Sequence, residues 1–325
     1  MKTNYFCLLI VLLGLFQTAQ PDYHTLYAHG IVDGPAQMNR FNEAINTPAT
    51  ALSFPDTQSE TGYGINRLVS EISTYCGKPV NRSKMCMGQD KDISTVDEAM
   101  QKVQAGIDTI LYGCSRGAAT LINYMAQHNP EGVRAMVLDA PPCNMPQATH
   151  AILAKLGLHQ SWDTSLFSTI FPAYPAQATT PLQAVKNINN KELPILLVHS
   201  QQDSKVLFIN SLYLYLEFKR QGFNHVHLAT IPSGRHSFLL QDPAVKAKYL
   251  QAVHSFYKAY GLPHNSEHAT ADIANYQYDT QQASDEIAAY EQALQEQYEY
   301  SKFRNLVATG AAATAALALA LYKQQ

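Results

Sequence analysis

Short apolar runs and amphipathic stretches alternate along most of the chain. Six runs are rich in aliphatic or β-branched residues and have the length of strands: residues 24–28, 49–54, 107–112, 133–139, 193–199 and 225–231. Apolar residues recur at helical spacing in other stretches: residues 62–75, 94–106, 115–128, 206–221 and 244–260. In the second of these, Ser94 is placed to cap the helix, with Asp97 three residues later. This alternation predicts a parallel sheet covered by helices on both faces.

The rhythm breaks over residues 144–190. This segment has a helical piece at residues 148–156 and a patch with prolines and aromatic residues at residues 162–175. It is too long and too irregular to be a simple connection, so it predicts an insertion over the sheet, which we interpret as a lid. A packed surface excursion without function is the alternative.

The C-terminal part differs in kind from the rest. Residues 263–305 form a polar extension rich in Gln, Tyr and acids, in which apolar positions at helical spacing predict a long helix of modest burial. Residues 306–322 contain no charge and approach the length of a bilayer core, although alanine dominates them. Two interpretations stay open: a membrane anchor, or an Ala-rich helix that packs on the domain or a partner.

Residues 1–20 have the pattern of a targeting segment. Lys2 supplies the positive end, and residues 5–16 form a short apolar core. The pattern predicts a signal peptide and an exported chain, whether periplasmic, extracellular or lumenal. The cleavage site is poorly marked, so an uncleaved N-terminal anchor is the alternative.

Composition limits the function classes. The chain has 325 residues, 46% of them hydrophobic, which is enough for a large buried core, and a formal charge of −3, which gives no electrostatic footprint for nucleic acid. Beyond the targeting segment lie four cysteines, and an even number permits two disulfides in an oxidising compartment. Cys76 and Cys86 would close a short loop. Cys114 is either bridged to Cys143 or buried and inert. No cysteine or histidine cluster suggests a metal site, and no cofactor is predicted.

The strongest chemical pattern lies where residues 107–112 turn directly into the helix of residues 115–128. Gly113 and Gly117 flank Ser115 in a G-x-S-x-G pattern. A turn this tight leaves no room for side chains two residues before and after the serine, and it pushes the hydroxyl outward. The pattern predicts a nucleophile elbow, although Gly and Ser are also ordinary turn residues.

A serine nucleophile needs a base and an acid to orient that base. Asp203 and His236 each follow a later predicted strand, and the carboxyl ends of parallel strands share one edge of a sheet. The sequence therefore predicts that these residues converge on Ser115. Asp139 also follows a strand and is the alternative acid. Three other histidines lie in or beside strands and are expected to be packed or solvated: His199, His225 and His227.

Together these motifs make the chain resemble the α/β-hydrolases. Residues 113–117 match the elbow of that family, His29-Gly30 its first oxyanion loop, and Asp203 and His236 its acid and histidine loops. The resemblance covers residues 23–260 and implies a hydrolase domain over residues 21–262. The family usually begins with two further strands, so the expected fold is α/β with a reduced, mostly parallel sheet of about six strands, an inserted lid and a helical C-terminal extension. The tail after Gly261 has no counterpart in the family core.

The resemblance also implies roles. Ser115 attacks a carbonyl carbon, His236 moves the proton and Asp203 orients His236, while the backbone N–H groups of Arg116 and Ile31 hold the oxyanion. The implied substrate is a small-molecule or peptide ester, thioester or amide. An acyltransferase using the same triad and a non-catalytic binding protein are the alternatives.

Two arginines near this site have open roles. The Arg116 side chain could meet a substrate carboxylate or lie on the helix surface. Asp33 and Arg40 lie near the oxyanion loop, where a structural ion pair is favoured over substrate binding.

Overall fold

Six parallel strands form one sheet in the computed structural model, which describes residues 22–31, 34–55, 86–175 and 177–322. The strands are β1 (Tyr23–Ala28), β2 (Ala49–Ala51), β3 (Asp108–Cys114), β4 (Val133–Asp139), β5 (Ile195–Ser200) and β6 (Val226–Ile231). Their order across the sheet is β2-β1-β3-β4-β5-β6, and every neighbouring pair is parallel. The predicted fold class is confirmed. β2 is shorter than predicted: it ends at Ala51, although the Leu52 N–H still donates to the Tyr27 carbonyl at 2.8 Å and the side chains of Leu52 and Phe54 are buried.

Helices lie between the strands, in the insertion after β4 and in the part of the chain after β6. Those described are α1 (Lys91–Lys102), α2 (Arg116–His128), α3 (His150–Leu156), α4 (Asp163–Ile170), α5 (Pro181–Ala184), α6 (Ile209–Arg220), α7 (Pro243–Ala259) and α8 (Thr280–Tyr322). The predicted helix at residues 62–75 lies outside the described residues. The predicted cap at Ser94 is wrong: α1 begins at Lys91, and the Ser94 hydroxyl donates to the Lys91 carbonyl inside the helix.

The core has two layers, one on each face of the sheet. Successive residues of a strand point to opposite faces, so Leu111 of β3 joins the layer under α2 and α6, while Tyr112 joins the layer under α7. Both side chains are fully buried. The near-continuous apolar character of the central strands follows from this double burial.

The insertion after β4 carries an aromatic cluster. A third, smaller apolar core contains six buried residues: Phe167, Phe171, Tyr174, Met87, Met145 and Ala119 of α2. Ile31, after β1, is partly buried against it. The insertion is thus packed on the two segments that border Ser115.

The C-terminal extension differs from its prediction. Residues 264–279 are not helical except for one short 3₁₀ turn, and the two predicted helices join into the continuous α8. α8 packs on α6, where Tyr213 donates to Glu291, and on α3, where the Asn305 amide donates to the Leu156 carbonyl at 2.9 Å. Within the described part of the chain, no helix combines the length and apolar character needed to cross a bilayer.

Candidate active site

Ser115 occupies a sharp turn between β3 and α2. Its backbone lies at φ 54° and ψ −118°, a conformation that non-glycine residues rarely adopt. Such strain costs about 1–3 kcal/mol and persists only where the surroundings impose it. Here the Ser115 N–H donates to the Asp139 carbonyl at 2.8 Å, which fixes the end of β3 against β4. The turn places the Ser115 hydroxyl at the carboxyl edge of the sheet.

The two glycines of the elbow have no room for a side chain. A Cβ on Gly117 would lie 1.9 Å from the Ala28 carbonyl oxygen, and a Cβ on Gly113 would lie 2.7 Å from the Ala118 nitrogen. Both distances are far below van der Waals contact. The start of α2 therefore packs directly on the backbone of β1, which is the close approach that the G-x-S-x-G pattern predicts.

His236 and Asp203 form a hydrogen-bonded pair at the same edge. His236 Nδ1 lies 2.6 Å from Asp203 Oδ2. The other oxygen, Oδ1, accepts from the backbone N–H groups of Lys205 at 2.8 Å and Val206 at 3.2 Å. Burial by itself raises the pKa of Asp203, but hydrogen bonds and charge interactions with His199 and His236 outweigh it and hold this pKa well below its usual value. Asp203 is thus kept as a carboxylate.

The loop that carries His236 is tied to the ends of two strands. The Ser200 hydroxyl at the end of β5 donates to the Gly234 carbonyl at 2.9 Å, and Cys114 Sγ lies 3.0 Å from the hydroxyl of Ser237. Among the described residues, Ser115 Oγ makes no hydrogen bond to His236; Ser115 follows β3 and His236 follows β6.

The loop after β1 lies against Ser115. A Cβ on Gly30 would be 3.4 Å from the Ser115 Cβ, and the Gly30 N–H donates to Gln37 Oε1 at 2.7 Å. Because the Gly30 N–H already donates to Gln37, the N–H of Ile31 is the next group along the loop that could donate to a substrate oxyanion. Arg116 is the first residue of α2, and the first N–H groups of a helix favour negative charge. These positions are compatible with the predicted oxyanion donors.

The Arg116 side chain neither meets a substrate carboxylate nor lies on the helix surface, the two positions considered from the sequence. It is fully buried and forms two hydrogen bonds to Asp92, from Nε at 2.8 Å and from Nη2 at 2.6 Å. Asp92 also accepts from the Gly88 N–H at 2.7 Å, and the guanidinium lies 4.8 Å from the ring centroid of Phe54. Arg116 therefore neither meets solvent nor points at a substrate; it locks α1 and the preceding loop to the elbow.

Other predicted pairings have different outcomes. Arg40 lies over the Phe238 ring at 4.1 Å, and its predicted partner, Asp33, lies outside the described residues. Of the two alternatives for Cys114, the structure has the buried free thiol and not the bridge, since Cys114 and Cys143 are both free and buried. Cys143 Sγ instead contacts Gln147 and Asn210. Cys76 is outside the described residues, so its bridge to Cys86 stays a prediction.

The alternative acid, Asp139, has another partner. Its Oδ2 accepts from the Tyr249 hydroxyl at 2.7 Å, and it makes no hydrogen bond to His236 among the described residues. Burial raises the pKa of Asp139 to about 6. The Asp139 carboxyl thus bonds to α7, while Asp203 is the acid that bonds to His236.

Two of the remaining histidines are packed or paired as expected. His225 pairs with Glu192 at 3.1 Å, and the buried His227 bonds to the Tyr260 hydroxyl at 2.6 Å. His199 is more than packed, since its Nε2 lies 3.6 Å from Asp203 Oδ2. In the sequence, only its position four residues before Asp203 indicates that His199 could contact the proposed catalytic acid. Over the described ranges, no three His, Cys, Asp or Glu side chains lie together as a metal site.

Comparison with solved structures gives matches of low sequence identity. The Pyrococcus horikoshii acylaminoacyl peptidase has 14% sequence identity and a TM-score of 0.45, with 82% of this chain and 40% of that chain covered. For the Paleococcus ferrophilus monoacylglycerol lipase the values are 14% and 0.47, with 73% and 94% covered. This chain thus spans 40% of the length of the peptidase. Comparison with curated proteins gives no significant match.

Comparison with family models gives a match over residues 95–262, described as the prolyl oligopeptidase family. The matched region runs from α1 to the end of α7 and includes Ser115, Asp203 and His236. It extends over just more than half of the 325 residues. The chain belongs to the prolyl oligopeptidase family.

Proposed function

We propose that this protein is a serine hydrolase that cleaves an ester, thioester or amide through an acyl-enzyme intermediate. The observation that carries the proposal is the 2.6 Å hydrogen bond between His236 Nδ1 and Asp203 Oδ2, at the sheet edge where the strained elbow presents Ser115. Membership of a peptidase family supports it.

In the proposed reaction, Ser115 Oγ attacks the substrate carbonyl carbon while His236 Nε2 takes the hydroxyl proton. Asp203 accepts from Nδ1, which fixes the tautomer with a basic Nε2 and stabilises the imidazolium that forms. The imidazolium then gives its proton to the leaving alcohol, thiol or amine as the tetrahedral intermediate collapses to the acyl-enzyme. Water, activated by His236, releases the acid and restores Ser115.

Negative charge that develops on the carbonyl oxygen would be held by the backbone N–H groups of Arg116 and Ile31. The Asp92–Arg116 pair supports this arrangement. The Arg116 side chain is held by Asp92, which fixes the first residue of α2, so that only the backbone N–H of Arg116 would act on the oxyanion. Loss of one such donor typically costs about 10²–10³ in rate.

The aromatic cluster of the insertion suggests the kind of acyl group. Ile31 is partly buried against this cluster, so apolar side chains border the proposed oxyanion loop. We therefore expect apolar acyl groups to react faster than carboxylate-bearing ones, because a carboxylate would lose its hydration among these apolar side chains. Initial rates with p-nitrophenyl butyrate and with the p-nitrophenyl monoester of succinate compare the two, and aminoacyl anilides test amide cleavage.

A fluorophosphonate probe tests the proposed nucleophile. The folded chain should be labelled, Ser115→Ala should not, and the exposed-serine variant Ser161→Ala should be labelled like the wild type. A folded wild type that resists the probe would overturn the proposal in favour of a non-catalytic binding protein. Labelling with product formation only when an alcohol or amine acceptor is added would identify an acyltransferase.

We also propose that the chain is exported. The support is the targeting pattern of residues 1–20, which lie outside the described residues. Fractionation of cells that express the whole chain, followed by N-terminal sequencing, tests this proposal. Recovery only from the cytoplasm with Met1 retained would contradict it.

A further inference from the structure

A short 3₁₀ helix, Gly34–Arg40, follows the loop after β1. A 3₁₀ helix has three residues per turn, so side chains three positions apart lie above one another. Gln37 and Arg40 therefore project from the same side of this helix. Gln37 is 1% exposed, and a buried amide is costly unless its polar atoms are hydrogen-bonded. An apolar side chain would serve packing alone better, so the hydrogen bonds of Gln37 indicate a role beyond packing.

Gln37 holds the proposed oxyanion loop. Its Oε1 accepts from the Gly30 N–H at 2.7 Å and from the Tyr27 hydroxyl at 3.1 Å. A backbone N–H can only donate, so the contact with Gly30 fixes which end of the amide faces the loop. Gly30 also lies against the nucleophile, since a Cβ built on it would be 3.4 Å from the Ser115 Cβ and 3.5 Å from Gln37 Nε2. The peptide that carries the next N–H, that of Ile31, begins at Gly30 and is thereby held by Gln37.

Arg40 contacts the loop that carries His236. Its guanidinium lies 4.1 Å from the ring centroid of the half-buried Phe238, two residues after His236. A cation over an aromatic face is attracted by the negative charge of that face. The Gln241 amide also donates to the Arg40 carbonyl at 3.1 Å. The 3₁₀ helix thus contacts both loops of the proposed site.

We propose that Gln37 and Arg40 are positioning residues, which hold the proposed oxyanion loop and the loop that carries His236 at a fixed separation. The proposal rests on the hydrolase function proposed above. In that reaction the Ile31 N–H and His236 act on the same tetrahedral intermediate, and a displacement of about 1 Å in such groups costs roughly 100-fold in rate. The 3₁₀ helix sets their separation through two side chains that need not touch the reacting atoms.

Steady-state hydrolysis of p-nitrophenyl butyrate by the whole chain tests the role of Gln37. Gln37→Met keeps the length of the side chain but removes the acceptor of the Gly30 N–H, so kcat should fall about 10- to 100-fold with KM almost unchanged. Tyr27→Phe is the matched control, because it removes the other hydrogen bond to the same oxygen and leaves Gly30 held. This control should lower stability and leave kcat per folded molecule almost unchanged.

The same assay tests the role of Arg40. Arg40→Met should lower kcat about 10-fold, and Arg40→Lys, which keeps a cation for the ring, should recover most of the loss. Phe238→Leu removes the other partner of this contact, so Arg40→Met combined with Phe238→Leu should be about as slow as either single variant. Arg235→Met is the matched control. It removes a cation 5.0 Å from the same ring centroid, but the loop that carries His236 supplies that cation itself, so kcat should be unchanged.

End-point fluorophosphonate labelling counts the reactive molecules of each variant, and thermal unfolding shows whether it is folded. With a labelled wild type, unchanged kcat in Gln37→Met or in Arg40→Met would overturn the positioning proposal alone, whereas an unlabelled wild type would overturn the proposed function with it. A raised KM at unchanged kcat in Arg40→Met would make Arg40 a substrate-binding residue and also overturn it. If Gln37→Met does not fold, the Arg40 and Phe238 variants decide, since losses that multiply in the double variant would contradict the proposal.

Discussion

His199 Nε2 lies 3.6 Å from Asp203 Oδ2, the oxygen that accepts the hydrogen bond of His236. The same nitrogen lies 2.8 Å from the Val206 carbonyl, which can only accept, so Nε2 carries a proton. Nδ1 lies 2.7 Å from the Ser211 hydroxyl. A fully buried histidine thereby ties the end of β5, the acid loop and α6 together directly behind the proposed catalytic acid.

His199→Leu should lower kcat by about 10- to 100-fold with little change in KM. The substitution leaves the Val206 carbonyl without its donor, so the loop that holds the Asp203 carboxylate shifts, and small misplacements of catalytic groups cost rates of this order. His199→Gln restores a side-chain N–H and should recover part of kcat. The buried histidine of the neighbouring strand provides the control: His227→Leu should reduce stability but leave kcat per folded molecule unchanged. Equal kcat in wild type and His199→Leu would show that the contact has no positioning role.

Gly117→Ala should prevent the chain from reaching its native state or destabilise it by more than about 4 kcal/mol. The added Cβ would lie 1.9 Å from the Ala28 carbonyl oxygen, and only separation of α2 from β1 could relieve the clash. Gly132→Ala is the matched control, because its Cβ meets no atom within 4 Å and its cost is limited to about 1 kcal/mol of backbone strain at φ 83°. Urea denaturation of both variants checks the difference. Similar midpoints for the two would contradict the packing argument.

The parts of this molecule that the sequence predicted are those governed by local pattern and sheet geometry. β4 lies at its predicted residues, and Asp203 and His236 follow β5 and β6 at the sheet edge that β3 shares. These features depend on periodicity and on the rule that parallel strands end on one side.

Features that depend on a particular long-range contact were missed. Arg116 has the sequence context of an exposed helix residue, and only the packing of α1 against α2 brings Asp92 to its guanidinium. The hydroxyl of Ser237, likewise, meets the Cys114 thiol through a loop 123 residues away. Neither contact leaves a periodic pattern in the sequence, so the ion pair could not be derived from it, and the sequence left open whether Cys114 is bridged or free.

Arg116→Leu should destabilise the fold by about 3–5 kcal/mol, because Asp92 would be left as a buried charge without its cation. Asp92→Leu should cost a similar amount and also leave the Gly88 N–H without its acceptor. The double variant should be less destabilised than the sum of the two, since neither charge then remains buried alone. The free energies of unfolding of the wild type, the two single variants and the double variant, measured by urea titration, give the interaction energy of the pair. Strict additivity would mean that the two groups do not interact.

Asp139→Asn should remove a pH dependence of stability. Burial, partly offset by the Tyr249 hydrogen bond and by the charges of His236 and His199, raises the pKa of Asp139 from 3.8 to about 6. Between these values the folded chain binds more protons at this site than the unfolded chain does. The stability from the protonated form is therefore fully present below about pH 4 and is lost as the pH rises towards 6.

The size of this effect follows from the shift. A difference of roughly two pKa units corresponds to about 3 kcal/mol, so wild type should lose about that much relative to Asp139→Asn between pH 4 and pH 7. Other titrating groups are common to both proteins and cancel in the difference. Urea unfolding monitored by circular dichroism at several pH values measures both proteins. Parallel profiles for wild type and Asp139→Asn would show that Asp139 is ionised throughout this range, and its buried carboxylate would then need a cationic partner that the hydrogen bond from Tyr249 does not supply.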